Sequence, residues 1–143
     1  MEVKQISVFL ENKKGRLWEA LHALAGARIN VRALSIADTS EFGILRLIVP
    51  EPQIAKKVLA QGGFTVREND VIAVGVPDKP GGLSSVLKIL TDADINVEYL
   101  YAFVEKSGKK AVVVLRTDSI SKGKKALKKA GATVLSSRQV YSL

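Results

Sequence analysis

The chain repeats itself. Shifted by 66 residues, Lys13, Gly15, Leu17, Leu21 and Leu24 fall on Lys79, Gly81, Leu83, Leu87 and Leu90, and Ala27, Ile29, Asn30, Val31 and Leu34 fall on Ala93, Ile95, Asn96, Val97 and Leu100. Those ten identities lie within residues 11–34, where common-residue frequencies would give roughly one or two. After a two-residue insertion the offset becomes 68, and Leu47, Lys56, Lys57, Leu59, Gly63, Thr65 and Val66 match Leu115, Lys124, Lys125, Leu127, Gly131, Thr133 and Val134. The chain must therefore fold as one small unit made twice, with copies at 1–68 and 69–143.

Each copy reads in the same order. Lys4–Leu10 and Val71–Val76 are apolar, β-branched-rich runs and predict strands. Gly15 and Gly81 open a helix, along which Leu83, Val86, Leu87 and Leu90 recur at i, i+3, i+4 and i+7 as one apolar stripe; Leu17, Leu21 and Leu24 repeat it in the first copy. Ile29–Asp38 with Ile44–Val49, and Ile95–Glu105 with Ala111–Thr117, predict hairpins turning near TSEFG and EKSGK. A second helix follows at Glu51–Gln61, with Pro52 in its first turn, and at Ser121–Ala130, with Asp118 or Ser119 as cap. Gly62–Gly63 and Gly131 close these helices. A last strand is expected around Phe64–Val66 and Thr133–Tyr141. The order βαββαβ is an α+β, ferredoxin-like unit: an antiparallel sheet with both helices on one face. Ile44–Val49 and Ala111–Leu115 are apolar at nearly every position, although a strand with one wet face should alternate. The sister copy, a second chain or both must cover them, and a homodimer is the simplest expectation.

Composition narrows the function. The 143 residues contain no cysteine and a single histidine, His22. That removes disulfides, thiol nucleophiles and cysteine-ligated zinc, and leaves little from which to build a catalytic triad or a multi-histidine metal site. The start has no signal-peptide pattern and no apolar run is long enough to span a membrane, so a cytoplasmic protein with no membrane partner is expected. Asp92, Asp94 and Glu98 cluster near a helix end without facing one another as an acid–base pair. Trp18, Tyr99 and Tyr101 read as packing residues. No catalysis, metal or cofactor is expected. The net charge of +8 owes much to Lys122–Lys129 and to Lys106, Lys109 and Lys110, more simply a solvated helix face and a charged hairpin tip than a surface for phosphate backbones.

The loop DKPGG, Asp78–Gly82, carries the functional signal. Two glycines let backbone N–H groups approach a ligand at a helix N-terminus, where unpaired donors and the helix dipole favour an anion such as a carboxylate. Pro80 stiffens the approach. Asp78 can accept from an ammonium group, and Asn96 offers both donor and acceptor. A place for a carboxylate beside a place for an ammonium suits a free α-amino acid. Gly-Gly before a helix is more often simply a tight turn, and Asn96 can serve as a turn residue closing the helix.

Strand, D-x-P-G-G-L, amphipathic helix and I-N-V within βαββαβ resemble the ACT domain, and Ala37–Val49 and Asp94–Glu105 resemble the stand-alone tandem ACT proteins in particular. The resemblance spans essentially the whole chain. It implies amino-acid-binding regulatory modules whose sheets associate edge to edge with effectors at the interface. Carried onto this chain it implies ligand contacts from Asp78, Pro80, Gly81, Gly82 and Leu83, with Asn96 nearby, and in the first copy from Asn12, Gly15, Arg16 and Leu17, with Asn30. The first copy departs from the pattern: Lys14 stands for the proline, Arg16 for the second glycine and Asn12 for the aspartate. Arg16 can pair with a carboxylate or fill the pocket, so the two sites can differ.

The expected function is an amino-acid-binding regulatory or sensor protein without chemistry of its own, acting on a partner or as the regulatory subunit of an amino-acid biosynthetic enzyme. RNA-recognition modules share the βαββαβ order and stack bases on strand aromatics. Beyond Phe42-Gly43, neither Ile44–Leu47 nor Lys110–Val113 supplies such a platform, and nucleic acid is not the expected partner.

Overall fold

The computed structural model describes residues 2–38, 41–103 and 110–143. The hairpin tips expected around 39–40 and 104–109 lie outside them. The chain divides into two compact units, Lys4–Asn69 and Asp70–Leu143, the latter joined by the first residues of the chain.

In the N-terminal unit, β1 (Val3–Glu11), α1 (Arg16–Gly26), β2 (Ala33–Asp38), β3 (Phe42–Ile48) and α2 (Pro52–Gln61) lead into β4, which runs Thr65–Pro77. β3 pairs antiparallel with β1 (Ile6↔Leu47 to Glu11↔Phe42) and with β2 (Ala33↔Ile48 to Asp38↔Gly43). The register puts Ile6, Val8 and Leu10 on the same face as Leu45 and Leu47. There they pack with Ala20 and Leu24 of α1 and Ala55 and Leu59 of α2. Each leucine, isoleucine or valine so buried contributes about 1.5–3 kcal/mol. On the other face Gln5 is buried, and it keeps its polarity satisfied by donating from Nε2 to Ser7 Oγ at 3.1 Å, while Ser7 donates to Asn69 Oδ1 at 2.8 Å.

The C-terminal unit repeats the plan. β4 from Asp70 onward is followed by α3 (Gly82–Asp92), β5 (Val97–Ala102), β6 (Lys110–Thr117), α4 (Ile120–Lys129), β7 (Thr133–Leu135) and α5 (Ser137–Tyr141). β4 pairs antiparallel with β6 and β7, and β5 with β6, giving the order β7-β4-β6-β5. Ile72, Val74, Val76, Val113 and Leu115 meet Val86, Leu90 and Leu127 in its core. The unbroken apolar run of β6 has a direct reason: Val112 and Val114 on the opposite face are buried as fully as Val113 and Leu115. One chain accounts for that burial without a second.

Three expectations are corrected. The strands expected at Phe64–Val66 and Val71–Val76 are one strand, β4, serving both units. The strand expected over Thr133–Tyr141 stops at Leu135, because Ser136 caps α5. Its hydroxyl accepts from the Gln139 N–H, and the Gln139 side chain accepts from the Ser136 N–H, a reciprocal box that turns the chain into helix. The strands expected from Ile29 and Ile95 begin only at Ala33 and Val97. Ile29 and Ile95 instead close the helices, donating to Leu24 and Leu90 carbonyls at 3.0 and 2.9 Å while their side chains enter the two cores.

Candidate functional site: two equivalent cavities

The same loop is built twice. After β1, the Lys13 N–H donates to the Glu11 carbonyl (2.8 Å), Arg16 N–H to Lys13 (3.2 Å) and Glu19 N–H to Gly15 (2.9 Å). In β4's continuation, Lys79 N–H donates to the Pro77 carbonyl (2.9 Å), Gly82 N–H to Lys79 (3.0 Å) and Ser85 N–H to Gly81 (2.9 Å). Gly15 and Gly81 each precede a helix in the left-handed region, at φ +91° and +82°, which a glycine adopts freely. The first-turn N–H groups of Leu17 and Trp18, and of Leu83 and Ser84, have no hydrogen-bond partner among the described residues. These donors are the ones a helix leaves open.

A cavity opens beside each loop. Leu10, Glu11, Asn12, Lys13, Leu17, Ile36 and Gly43 line the first, of about 160 Å³. Val76, Pro77, Asp78, Lys79, Pro80, Leu83, Ala111 and Val113 line the second, of about 420 Å³. Five of the seven positions in the first cavity have their 66-residue counterparts in the second, and Gly43 has its 68-residue counterpart in Ala111. Both have an aliphatic floor from sheet and helix, with a lysine and an amide or acidic group on the loop.

Of the residues singled out from the sequence, Asn12 and Leu17 line the first cavity and Asp78, Pro80 and Leu83 the second. Gly15, Gly81 and Gly82 shape the loops without lining them. Arg16 lies along α1: its guanidinium stacks over the Phe64 ring at 4.2 Å, Nη1 bonds Glu19 at 2.6 Å, and Nε stands 3.9 Å from Glu11. It pairs with its own chain's carboxylates and does not fill the cavity. Asn30 and Asn96 are exposed and line neither cavity. The Asn96 backbone is instead tied to the β6–α4 junction, its N–H donating to Asp118 Oδ1 (3.3 Å) and its carbonyl accepting from the Asp118 N–H (3.1 Å).

Beyond the strand ends that run into each loop, Leu10–Glu11 and Val76–Pro77, sequence reasoning missed Lys13, Lys79, Ile36, Gly43, Ala111 and Val113 as cavity residues. The repeat marks the lysines, identical in both copies and adjacent to the loop; the strand residues arrive only through sheet register. The cavities also differ. Glu11 stands where the second copy has Pro77, and Lys13 lies 2.9 Å from it. The hydrogen bond and charge of that ammonium hold the Glu11 carboxyl below the usual carboxylate range, with Arg16 adding to the effect. Among the described residues no His, Asp and Glu side chains converge in the threes a metal ion needs, and no helix is long and apolar enough to cross a membrane.

This chain belongs to the ACT domain pair family, whose model matches residues 1–141. It is similar over its full length to the protein BT0572 from Bacteroides thetaiotaomicron, with 40% identity and a TM-score of 0.93, covering 98% of that chain. Its fold is shared with the regulatory subunits of aspartate kinase from Thermus thermophilus and Thermus flavus. Identity to both is 17%, with TM-scores of 0.64 and 0.61, over 91% and 92% of this chain and 93% and 94% of theirs. No protein of curated function matches it in sequence.

Proposed function

We propose that the chain is a regulatory module that binds a free α-amino acid at the two loop cavities, one for each copy of residues 1–68 and 69–143, and performs no chemistry itself. The observation that carries this reading is the duplication of the cavity from equivalent residues. A loop kept only for packing has no reason to keep a lysine, an acidic or amide group and open helix-start donors around an aliphatic hollow in both copies. The open N–H groups and Lys13 or Lys79 suit a carboxylate, Asn12 or Asp78 an ammonium, and the aliphatic floor an apolar side chain. A regulated enzyme of amino-acid metabolism suits the role of partner, since proteins of this fold include regulatory subunits of aspartate kinase. A second copy of the chain suits the exposed Trp18, Ile36 and Phe42 of the N-terminal unit. Differential affinity of the ligand for two arrangements of such an assembly would transmit the signal.

Thermal unfolding of the full chain against the twenty amino acids and a nucleotide panel tests this. One or a few amino acids should raise the midpoint, by the equivalent of about 2.7 kcal/mol when present at a hundred times the dissociation constant. Asn12→Ala and Asp78→Ala should each remove part of that shift, and Asp92→Ala none. If no amino acid shifts the midpoint, or the cavity variants keep the whole shift, the reading fails.

A further inference from the structure

The C-terminal unit carries a second surface, remote in character from its loop cavity. Along α4, Lys122, Lys125 and Lys129 recur at i, i+3 and i+7, which places them on one stripe, with Lys128 beside it. All four are exposed, and none has a carboxylate partner among the described residues; Lys124 alone on this helix is paired, with Glu2 at 3.1 Å. The stripe ends at the rim of an open groove of about 430 Å³ between the C-terminal ends of α3 and α4, lined by Ile89, Asp92, Ala93, Ala126, Lys129 and Ala130. Asp92 does not offset the lysines, because Lys88 already holds it at 3.0 Å.

The repeat supplies an internal control. α2 occupies the equivalent place in the N-terminal unit, with Ala55 and Leu59 buried where α4 buries Gly123 and Leu127. At the positions of Lys122, Lys125, Lys128 and Lys129 it carries Ile54, Lys57, Ala60 and Gln61. The fold therefore does not require the lysine stripe. Helix energetics do not favour it either: Lys125 and Lys129 repel at i, i+4, and Lys122 sits in the first turn, where the helix dipole disfavours a cation. Lys128 and Lys129 in the last turn suit the dipole, but Lys122 and Lys125 have no such reason.

We propose that this α3–α4 face is a docking surface for an acidic segment of another protein, with one aliphatic side chain of that segment seated in the alanine-floored groove and its carboxylates on Lys122, Lys125 and Lys129. The alanine floor decides the class of partner. Single-stranded nucleic acid is held by aromatic platforms, and neither α3 nor α4 contains an aromatic residue. A membrane-surface helix needs large apolar residues opposite its lysines, free to enter the lipid, and the apolar side of α4 is already buried in its own core. Small side chains between two helices, rimmed by unpaired cations, instead leave room for an apolar anchor flanked by carboxylates.

The test uses the full chain and a fluorescein-labelled twelve-residue peptide of glutamates around a central leucine pair. Fluorescence anisotropy should show saturable binding that weakens with salt. The triple variant Lys122→Glu, Lys125→Glu, Lys129→Glu should weaken it by about tenfold or more. Ala130→Trp, which fills the groove from an exposed position, should weaken it severalfold, as should replacing the peptide leucines by serine. Unchanged thermal midpoints would show that the variants are folded, and the loop cavities, which these residues do not touch, should respond to amino acids as before. Loss on charge reversal with no loss from Ala130→Trp or the serine peptide would overturn the proposal in favour of an unspecific polyanion surface. So would equal or tighter binding of a twenty-nucleotide polyuridine, or of vesicles containing phosphatidylserine, with the same dependence on the lysines. No binding of the peptide would overturn it outright.

Discussion

A Cβ on Gly82 would lie 1.9 Å from the carbonyl oxygen of Pro77. The absence of a side chain at this position is therefore demanded by the loop's own backbone, whatever binds beside it. Gly81 is constrained differently: a Cβ there meets nothing within 4 Å, and only its φ of +82° argues for glycine. Gly82→Ala should then cost about 2–4 kcal/mol, through a forced shift of the loop. Gly81→Ala should cost only about 1–2 kcal/mol of left-handed strain. Urea unfolding of both variants measures the pair. Equal losses would sink the close-approach argument.

Acid should act on the first loop through Glu11. Its folded carboxyl is held below the ordinary range by Lys13. The stabilisation is thus fully present above the unfolded carboxylate range and disappears as pH falls through the lowered folded value. The pair is exposed, so the effect on global stability should be small. It is best read locally: in an NMR titration the Glu11 carboxyl should protonate at lower pH than an ordinary glutamate. Lys13→Met should move it back toward the ordinary range. A Glu11 titration indifferent to Lys13→Met would show that the ion pair is not held in solution.

Much of this architecture is legible because the repeat reports each element twice. Gly15 and Gly81 fix where α1 and α3 begin, whereas Ile29 and Ile95, expected to open strands, close those helices instead, and β2 and β5 begin only at Ala33 and Val97. The continuity of β4 was hidden by Arg67-Glu68-Asn69-Asp70, a polar run between the two expected strands. Its polarity is satisfied within each unit: Glu68 accepts from Gln53 at 2.7 Å, Asn69 from Ser7 at 2.8 Å, and the Asp70 carbonyl from Arg116 at 2.6 Å. Those partners are distant in sequence, so no local pattern announces them. α5 was missed because a five-residue helix is too short to show a period, although S-x-x-Q at Ser136 was its signature. Two residues of each cavity wall, Ile36 and Gly43 in the first and Ala111 and Val113 in the second, come from β2, β3 or β6, which only the sheet register delivers to the loop.

Both first helices end on a side chain in the left-handed region, Arg28 at φ 60° and Asp94 at φ 59°. An L-residue there is strained by about 1–2 kcal/mol, and glycine relieves this at an entropic cost of about 0.5–1 kcal/mol. Arg28→Gly should therefore stabilise the N-terminal unit by roughly 0.5–1 kcal/mol. Asp94→Gly should gain less, because aspartate tolerates this conformation better than arginine. Chemical denaturation of each variant decides it. Destabilisation by Arg28→Gly would mean that the arginine side chain contributes more at this corner than its conformation takes away.

The two copies differ in the large apolar residues they expose. In the N-terminal unit Trp18 is 63% exposed, Phe42 54% and Ile36 44%, and Trp18 stacks on His22 with ring centroids 4.5 Å apart. The equivalent positions of the C-terminal unit hold Ser84, Lys110 and Ala102. Identical roles in the fold are thus filled by large apolar residues in one copy and by small or charged ones in the other. If these exposed apolar residues of the first copy pair with the same residues of a second chain, the contact is a closed two-fold one. Light scattering on the purified protein should then give twice the chain mass at micromolar concentration. Trp18→Ser, which places at this position the residue the other copy already tolerates, should shift the protein to monomer. Because Trp18 is mostly exposed within its own chain, the monomer should lose no more than about 0.5 kcal/mol of unfolding free energy. A wild-type protein that stays monomeric at high concentration would rule out these residues as a dimer contact. A variant that dimerises as well as the wild type would leave the tryptophan without that role.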